Sequence, residues 1–254
     1  MSALLRKIPS TLLPIEVILV ENGSSDGTAQ ACQRLQQRFP QILRVESLAQ
    51  AGYGRAIKQG ILQSRSTYLV ILECDCLDTD FAFDSLDRLR NQNARFVVAS
   101  KRHAEAVDER PWMRRSLTHV YNRLLRVFLG YPGTDTHGLK AMETNLGKQL
   151  CQLAVTSDEV FQTEIVLLAW RLGVDIVELP LNIRETRPAP VKVVRRIPKV
   201  WKTILELRRS LARFPDENST LAKSPLTNLD SSLRQVVEAG NTSDADLLVN
   251  TQWK

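Results

Sequence analysis

The chain has 254 residues, 43% hydrophobic and 24% charged, with eleven Gly, eleven Pro and four Cys, so it can bury one sizeable core and is neither collagen-like, wholly disordered nor disulfide-stapled. Cys32, Cys74, Cys76 and Cys151 form no C-x-x-C pair, which gives no zinc signature and fits a reducing, cytosolic compartment. The net charge of +6 is concentrated: residues 184–213 carry +8, residues 214–254 carry −3 and the first 183 residues only +1, a local basic surface suited to phosphates.

No apolar run approaches the eighteen or more residues of a spanning helix, and the N-terminal MSALLRKIPS lacks the apolar stretch of a signal peptide. A protein that neither crosses a membrane nor enters the secretory route is expected. On that expectation the N-x-[ST] matches at Asn22, Asn218 and Asn241 are chance occurrences.

The first predicted strand, over 15–20, runs directly into Glu21-Asn22-Gly23-Ser24-Ser25-Asp26-Gly27-Thr28. Ligands of open α/β sheets bind beyond the carboxyl ends of strands, so acid and amide groups here can read a nucleobase or ribose. Alternatively, Ser25 or Asp26 merely caps a helix predicted over 27–38. After a strand at 42–45, Ala51-Gly52-Tyr53-Gly54 opens a helix over 54–64. Its paired glycines either let backbone approach an anion or serve tight packing.

A third strand, over 68–72, ends in Glu73-Cys74-Asp75-Cys76. Two carboxylates at i and i+2 leaving a sheet can converge on a hard divalent cation completed by diphosphate oxygens, or form a solvated acidic loop. Thiolates are poor ligands for Mg²⁺ or Mn²⁺, so the two cysteines read as packing residues. A helix at 81–92, a strand at 95–99 and a basic helix at 112–129 with Arg114, Arg115, Arg123 and Arg126 follow. Next comes Gly133-Thr134-Asp135-Thr136-His137-Gly138-Leu139-Lys140. Here Asp135, a glycine turn and Lys140 could face an acceptor group, with His137 a candidate general base, or the segment could be an ordinary connection.

A helix over 158–172 and a strand over 175–179 complete an alternation that predicts a parallel-rich α/β sheet. From 193 to 211 apolar residues recur at helical spacing among Lys and Arg, and a helix over 198–213 is predicted with Pro198 at its start. Such a helix either lies in an anionic membrane interface with Trp201 at headgroup depth or closes the domain with its apolar stripe docked. Nucleic acid is not an expected partner, because Trp201 stands alone among the basic residues and no nucleic-acid motif accompanies it. The chain thus divides into a domain over 1–190, a basic amphipathic helix over 191–213 and a polar, disordered tail over 214–254 with at most one weak helix.

The order and spacing of these segments resemble the family-2 glycosyltransferases of the GT-A fold, and within them the dolichyl-phosphate mannose or glucose synthases. The family's V-D-D-G-S-x-D-G-T, G-x-G-A-A, D-A-D, G-S-R, N-x-L-x-R-x-L-x-G and D-x-x-S-G-F-R segments have counterparts at 20–28, 52–57, 73–75, 99–101, 122–130 and 135–140. Residues 158–171 look like its F-E-x-E helix and 176–183 like its E-V-P strand, so the likeness covers about 15–205.

The resemblance implies an open mixed sheet flanked by helices and transfer of a hexose, with inversion, from a GDP- or UDP-linked sugar to a polyprenyl or dolichyl phosphate. By position, Glu21, Asn22, Gly23, Ser24, Gly52, Gly54 and Glu73 would bind the nucleotide sugar. Asp75, assisted by Glu73, would hold Mg²⁺ or Mn²⁺. Lys101, Arg126 and Lys140 would grip the acceptor phosphate, and Asp75, Asp135 and Lys140 would be the catalytic group. A lipid acceptor implies a cytoplasmic protein peripherally attached to a membrane through 191–213.

This chain departs from the pattern at its start: only about fourteen residues precede the first predicted strand, so a sheet without the family's S-x-V-I-P-x-Y-N-E-E strand and its helix, at the sheet's centre, is expected. Paired Asp becomes Glu21-Asn22, the first Asp of D-x-D becomes Glu73, and two Arg positions hold Lys101 and Lys140, which keep charge without the bidentate fork. The departures admit a second reading, a truncated, inactive homologue serving as a binding or scaffold module.

Overall fold

The computed structural model describes residues 15–92, 94–183, 197–214 and 245–251. Seven strands, β1 (Ile15–Glu21), β2 (Leu43–Ser47), β3 (Tyr68–Glu73), β4 (Phe96–Ser100), β5 (Lys140–Glu143), β6 (Ile176–Pro180) and β7 (Ala245–Thr251), form one sheet in the order β2-β1-β7-β3-β5-β4-β6. Only β5 runs antiparallel to its neighbours, β3 and β4, and the other pairings are parallel. The sheet is therefore mixed, as expected.

Period-two alternation builds the two faces. Ile18, Val20, Leu69, Ile71, Phe96 and Val98 enter one core, and Val17, Leu19, Val70, Leu72, Val97 and Ala99 enter the other. Helices α2 (Tyr53–Gln63), α4 (Trp112–Leu129), α5 (Thr144–Leu153), α6 (Phe161–Arg171) and α7 (Ile197–Leu211) cover the first face. Helices α1 (Thr28–Arg38) and α3 (Thr79–Asn91) cover the second.

The termini follow local chemistry. Asp26 accepts hydrogen bonds from Thr28 N and Oγ1 at the start of α1, and Asp78 accepts from Phe81 N at the start of α3. Helix α4 stops at Gly130, whose φ of 75° suits glycine.

Two differences from expectation have physical causes. Strand β5 is four residues long and begins with a charge, and α5 is only ten residues long, so neither shows a long periodic signal. Helix α7 docks Ile204, Leu207 and Leu211 on the domain, as one of the two readings of its sequence expects. The second difference lies in the region expected to be a disordered tail.

There, Ala245–Thr251 forms β7, a strand rather than a weak helix, which lies inside the sheet between β1 and β3. Strand β7 thus gives the facing edges of β1 and β3 a partner for backbone groups that would each cost roughly 1–3 kcal/mol if buried unpaired. The basic residues at 184–196 and the rest of the expected tail, 215–244 and 252–254, lie outside the described residues.

Candidate active site

The parallel strands β1, β7 and β3 end along one edge, where Glu21 pairs in register with Thr251 and Asn250 with Glu73. Strand β4 ends there at Ser100, and antiparallel β5 begins there at Lys140. Glu21, Glu73 with Asp75 beyond it, Lys101 and Lys140 therefore share one rim.

At the β1 corner, the buried Glu21 carboxylate accepts a hydrogen bond from Ser24 N at 2.6 Å and so shapes the turn that follows. Asn22 Oδ1 accepts from Gly52 N at 2.6 Å, tying this corner to the start of α2. Gly23 has φ +67° and lies so close to the 48–51 loop that a Cβ would stand 2.7 Å from Ala51 N. Glycine is needed there on both counts. The structure thus brings Glu21, Asn22, Gly23, Ser24 and Gly52 together. Gly54 is buried instead, its Cβ position 2.3 Å from the Asp158 carbonyl oxygen and 2.7 Å from Phe161 Cβ, so it packs α2 against the approach to α6.

At the β3 corner, Cys76 N closes a tight turn on the Glu73 carbonyl at 2.9 Å and leaves Asp75 exposed at its tip. Tyr53 donates its hydroxyl to Glu73 Oε1 at 2.6 Å, and Gln162 Nε2 reaches the same oxygen at 3.3 Å and also bonds the Tyr53 hydroxyl. Burial, reinforced by Glu73, pushes the Tyr53 phenol well above its usual pKa and keeps it a donor. Burial likewise raises the Cys74 and Cys76 thiols to about 12 and about 11, so neither offers a thiolate. Among the described residues, no group of three His, Cys, Asp or Glu side chains is arranged to hold a metal. A cation here would need oxygens from its ligand to complete two carboxylates.

Behind this corner lies Lys140. It is completely buried, donating from Nζ to Gly138 O at 2.8 Å and to Gln162 Oε1 at 2.5 Å. Burial lowers its pKa to about 7, against the opposing pull of Glu73 and Asp135. Lys140 is therefore an internal, hydrogen-bonded amine whose charged form burial disfavours, and the expectation that it grips an acceptor phosphate directly does not fit its burial.

Lys101 forms a 2.9 Å ion pair with Asp135 and donates to His137 O at 3.1 Å. Burial opposes ionisation of Asp135, but Lys101 and the His137 N–H hold its carboxyl below the usual range. His137 keeps an exposed edge while its ring meets Tyr121 edge-on at 5.3 Å. Desolvation of the ring lowers its pKa to about 4, Asp135 opposing and Lys140 and Lys101 adding to the effect, so the imidazole is neutral at pH 7. Arg126 stands apart: it is exposed on α4 and donates to Pro132 O at 2.7 Å, which anchors the loop before Asp135.

Sequence reasoning missed Gln162, which joins Lys140, Tyr53 and Glu73. Its signal was a run of polar residues, Gln162, Thr163 and Glu164, at the head of an apolar helix, and all three are buried. Glu164 accepts from Val155 N at 3.0 Å, Thr156 N at 2.8 Å and Ser210 Oγ at 2.5 Å, locking α7 to α6.

Residues 2–143 match the model of a family described as "Glycosyl transferase family 2". The chain is 23% identical over 213 residues to a dolichyl-phosphate beta-glucosyltransferase of Saccharomyces cerevisiae, covering 76% of this chain and 64% of that protein. It is 27% identical over 193 residues to glycosyltransferase AglD of Haloferax volcanii, covering 75% and 31%, and 25% identical over 180 residues to a dolichyl-phosphate beta-glucosyltransferase of Dictyostelium discoideum, covering 67% and 55%. The chain thus spans between about a third and two thirds of the length of these relatives.

Among solved structures, glucosyl-3-phosphoglycerate synthase from Mycobacterium tuberculosis in complex with phosphoglyceric acid matches with a TM-score of 0.55 at 17% identity, covering 80% of this chain and 81% of that one. The same enzyme with Mn²⁺, uridine diphosphate and glucosyl-3-phosphoglycerate matches at 0.52 and 15%, covering 80% and 81%. The likeness is one of fold, an α/β architecture of the GT-A type.

Proposed function

Because the chain belongs to glycosyl transferase family 2, we propose that it transfers a hexose from a GDP- or UDP-linked sugar to a polyprenyl or dolichyl phosphate, with inversion. The observation that carries this reading is the single rim on which Glu21, Glu73, Lys101 and Lys140 meet, with Asp75 on the turn just beyond. The printed functions of two of the relatives, dolichyl-phosphate glucosyltransferases, agree with it.

The Glu21–Ser24 turn and Gly52 would bind the nucleoside. Asp75 with Glu73 would hold Mg²⁺ or Mn²⁺, which supplies positive charge to a departing diphosphate; the donor set fits, being all oxygen with both neighbouring thiols protonated. A phosphate oxygen of the acceptor attacks the anomeric carbon as the bond from that carbon to the diphosphate oxygen breaks. The electron pair leaves with the nucleoside diphosphate. The acceptor is already anionic at pH 7, so no side chain need remove a proton. Positioning and fixed charge carry the rate: Lys101 is the candidate for the acceptor phosphate, and Lys140, behind the β3 corner, holds the Gly138 turn and Gln162 in place.

A lipid acceptor calls for a membrane surface, and no helix of the described residues is long and apolar enough to cross one. Helix α4 exposes Trp112, Val120, Val127 and Phe128, and α7 exposes Trp201 and Leu205. Phe128 and Trp201 touch edge-on at 5.2 Å, so the two helices offer one apolar surface, with Arg123, Arg126, Lys202 and Arg208 exposed on the same elements. Peripheral contact with an anionic, cytoplasm-facing leaflet is the arrangement this surface suits.

Titration calorimetry with UDP-glucose and GDP-mannose, with and without Mn²⁺, tests the reading. Metal-dependent binding of one of them is expected. Silence toward both would leave the scaffold alternative in its place.

A further inference from the structure

Strands β1 and β3 carry the two acid corners but are not neighbours, because β7 lies between them. At about 4.8 Å per strand spacing, the corners stand roughly 10 Å apart. The gap between them is closed by the carboxyl end of β7, where Thr251 is level with Glu21 and Asn250 with both Val20 and Glu73.

A ligand that reaches from the Glu21–Ser24 turn to Glu73 and Asp75 must therefore cross the end of β7. That separation suits an extended nucleoside diphosphate, with its base and ribose at one corner and its phosphates at the other, better than a lone phosphate. Strand-end backbone groups beyond the ladder have no sheet partner on that side, which is why ligands collect at such edges.

Building on the reading above, we propose that Asn250 and Thr251 form the floor of the nucleotide site, so that the far C-terminal segment is a binding element for the nucleoside diphosphate. Strand β7 enters the sheet from a segment more than thirty residues beyond α7. Occupancy of the site and insertion of β7 are then linked: a ligand that binds only the assembled rim shifts the segment toward its inserted state.

Hydrogen exchange on the full chain, with and without UDP or GDP and Mn²⁺, tests this together with the double variant Asn250→Ala, Thr251→Ala. Saturating nucleotide should slow exchange across 245–251 at least tenfold, well beyond any change in β6, and the double variant should bind about tenfold more weakly with an unchanged melting temperature. If nucleotide protects residues 21–24 and 52–55 while 245–251 exchange as before and the variant binds like wild type, the floor assignment falls and the functional reading stands. If the variant misfolds, the exchange result on the wild-type chain decides. Failure of both nucleotides to bind overturns the floor and the functional reading together.

Discussion

The β1 corner and the β4–β5 side of the rim both bury charge, but they neutralise it differently. At the β1 corner the Glu21 carboxylate is met by a backbone N–H three residues away. Across the rim, Lys101 is met by Asp135, 34 residues distant, and Lys140 by neutral acceptors, the Gly138 carbonyl and the Gln162 amide. Local backbone solvates a charge with little ordering cost, whereas a buried ion pair or an unpaired cation depends on the whole fold holding its partners in place. The first corner should thus tolerate change, and the second should not.

The largest effect is expected at Asp135. Asp135→Asn leaves the Lys101 ammonium buried without its counter-charge and should lower stability by about 3–5 kcal/mol in urea unfolding. A loss under about 1 kcal/mol would show that Lys101 finds solvent and that the two sides do not differ as described. Next is Gln162→Leu, which removes the acceptor of Lys140 and the donor to Tyr53 and Glu73, for an expected loss of about 2–3 kcal/mol.

Lys140 offers a pH test. Its folded pKa of about 7 lies below its unfolded value near 10.5, so between those limits the unfolded chain binds more protons and this group's contribution to stability rises with pH. The stability of wild type relative to Lys140→Met should therefore increase from pH 7 to 9, by at most about 1.4 kcal/mol per pH unit. A flat difference would mean the ammonium is not desolvated. The smallest effect belongs to Glu21→Gln, whose amide oxygen can still accept from Ser24 N, and a loss of about 1 kcal/mol or less is expected on melting.

The same division governs what the amino-acid order revealed. Strands β1, β3 and β4 and helix α4 declare themselves through β-branched runs or helical periodicity, and the Glu21–Thr28 turn through its Gly, Ser and Asp residues. Gln162 and the burial of Lys140 are set by contacts between α6, β5 and α2, which no window of neighbouring residues contains. Strand β7 was hidden for a related reason: Leu247, Leu248 and Val249 are a short apolar run in a polar stretch, and only the gap between β1 and β3 gives them a place.

Asp75, on the turn at the end of β3, is the residue on which the proposed function depends most, since with Glu73 it would hold the cation. The most direct measurement is transfer of labelled hexose from the nucleotide sugar to polyprenyl phosphate in the presence of Mn²⁺, comparing wild type with Asp75→Ala, whose exposed position should leave the fold intact. Loss of transfer with an unchanged melting curve is the predicted result. Undiminished transfer by the variant would contradict the account.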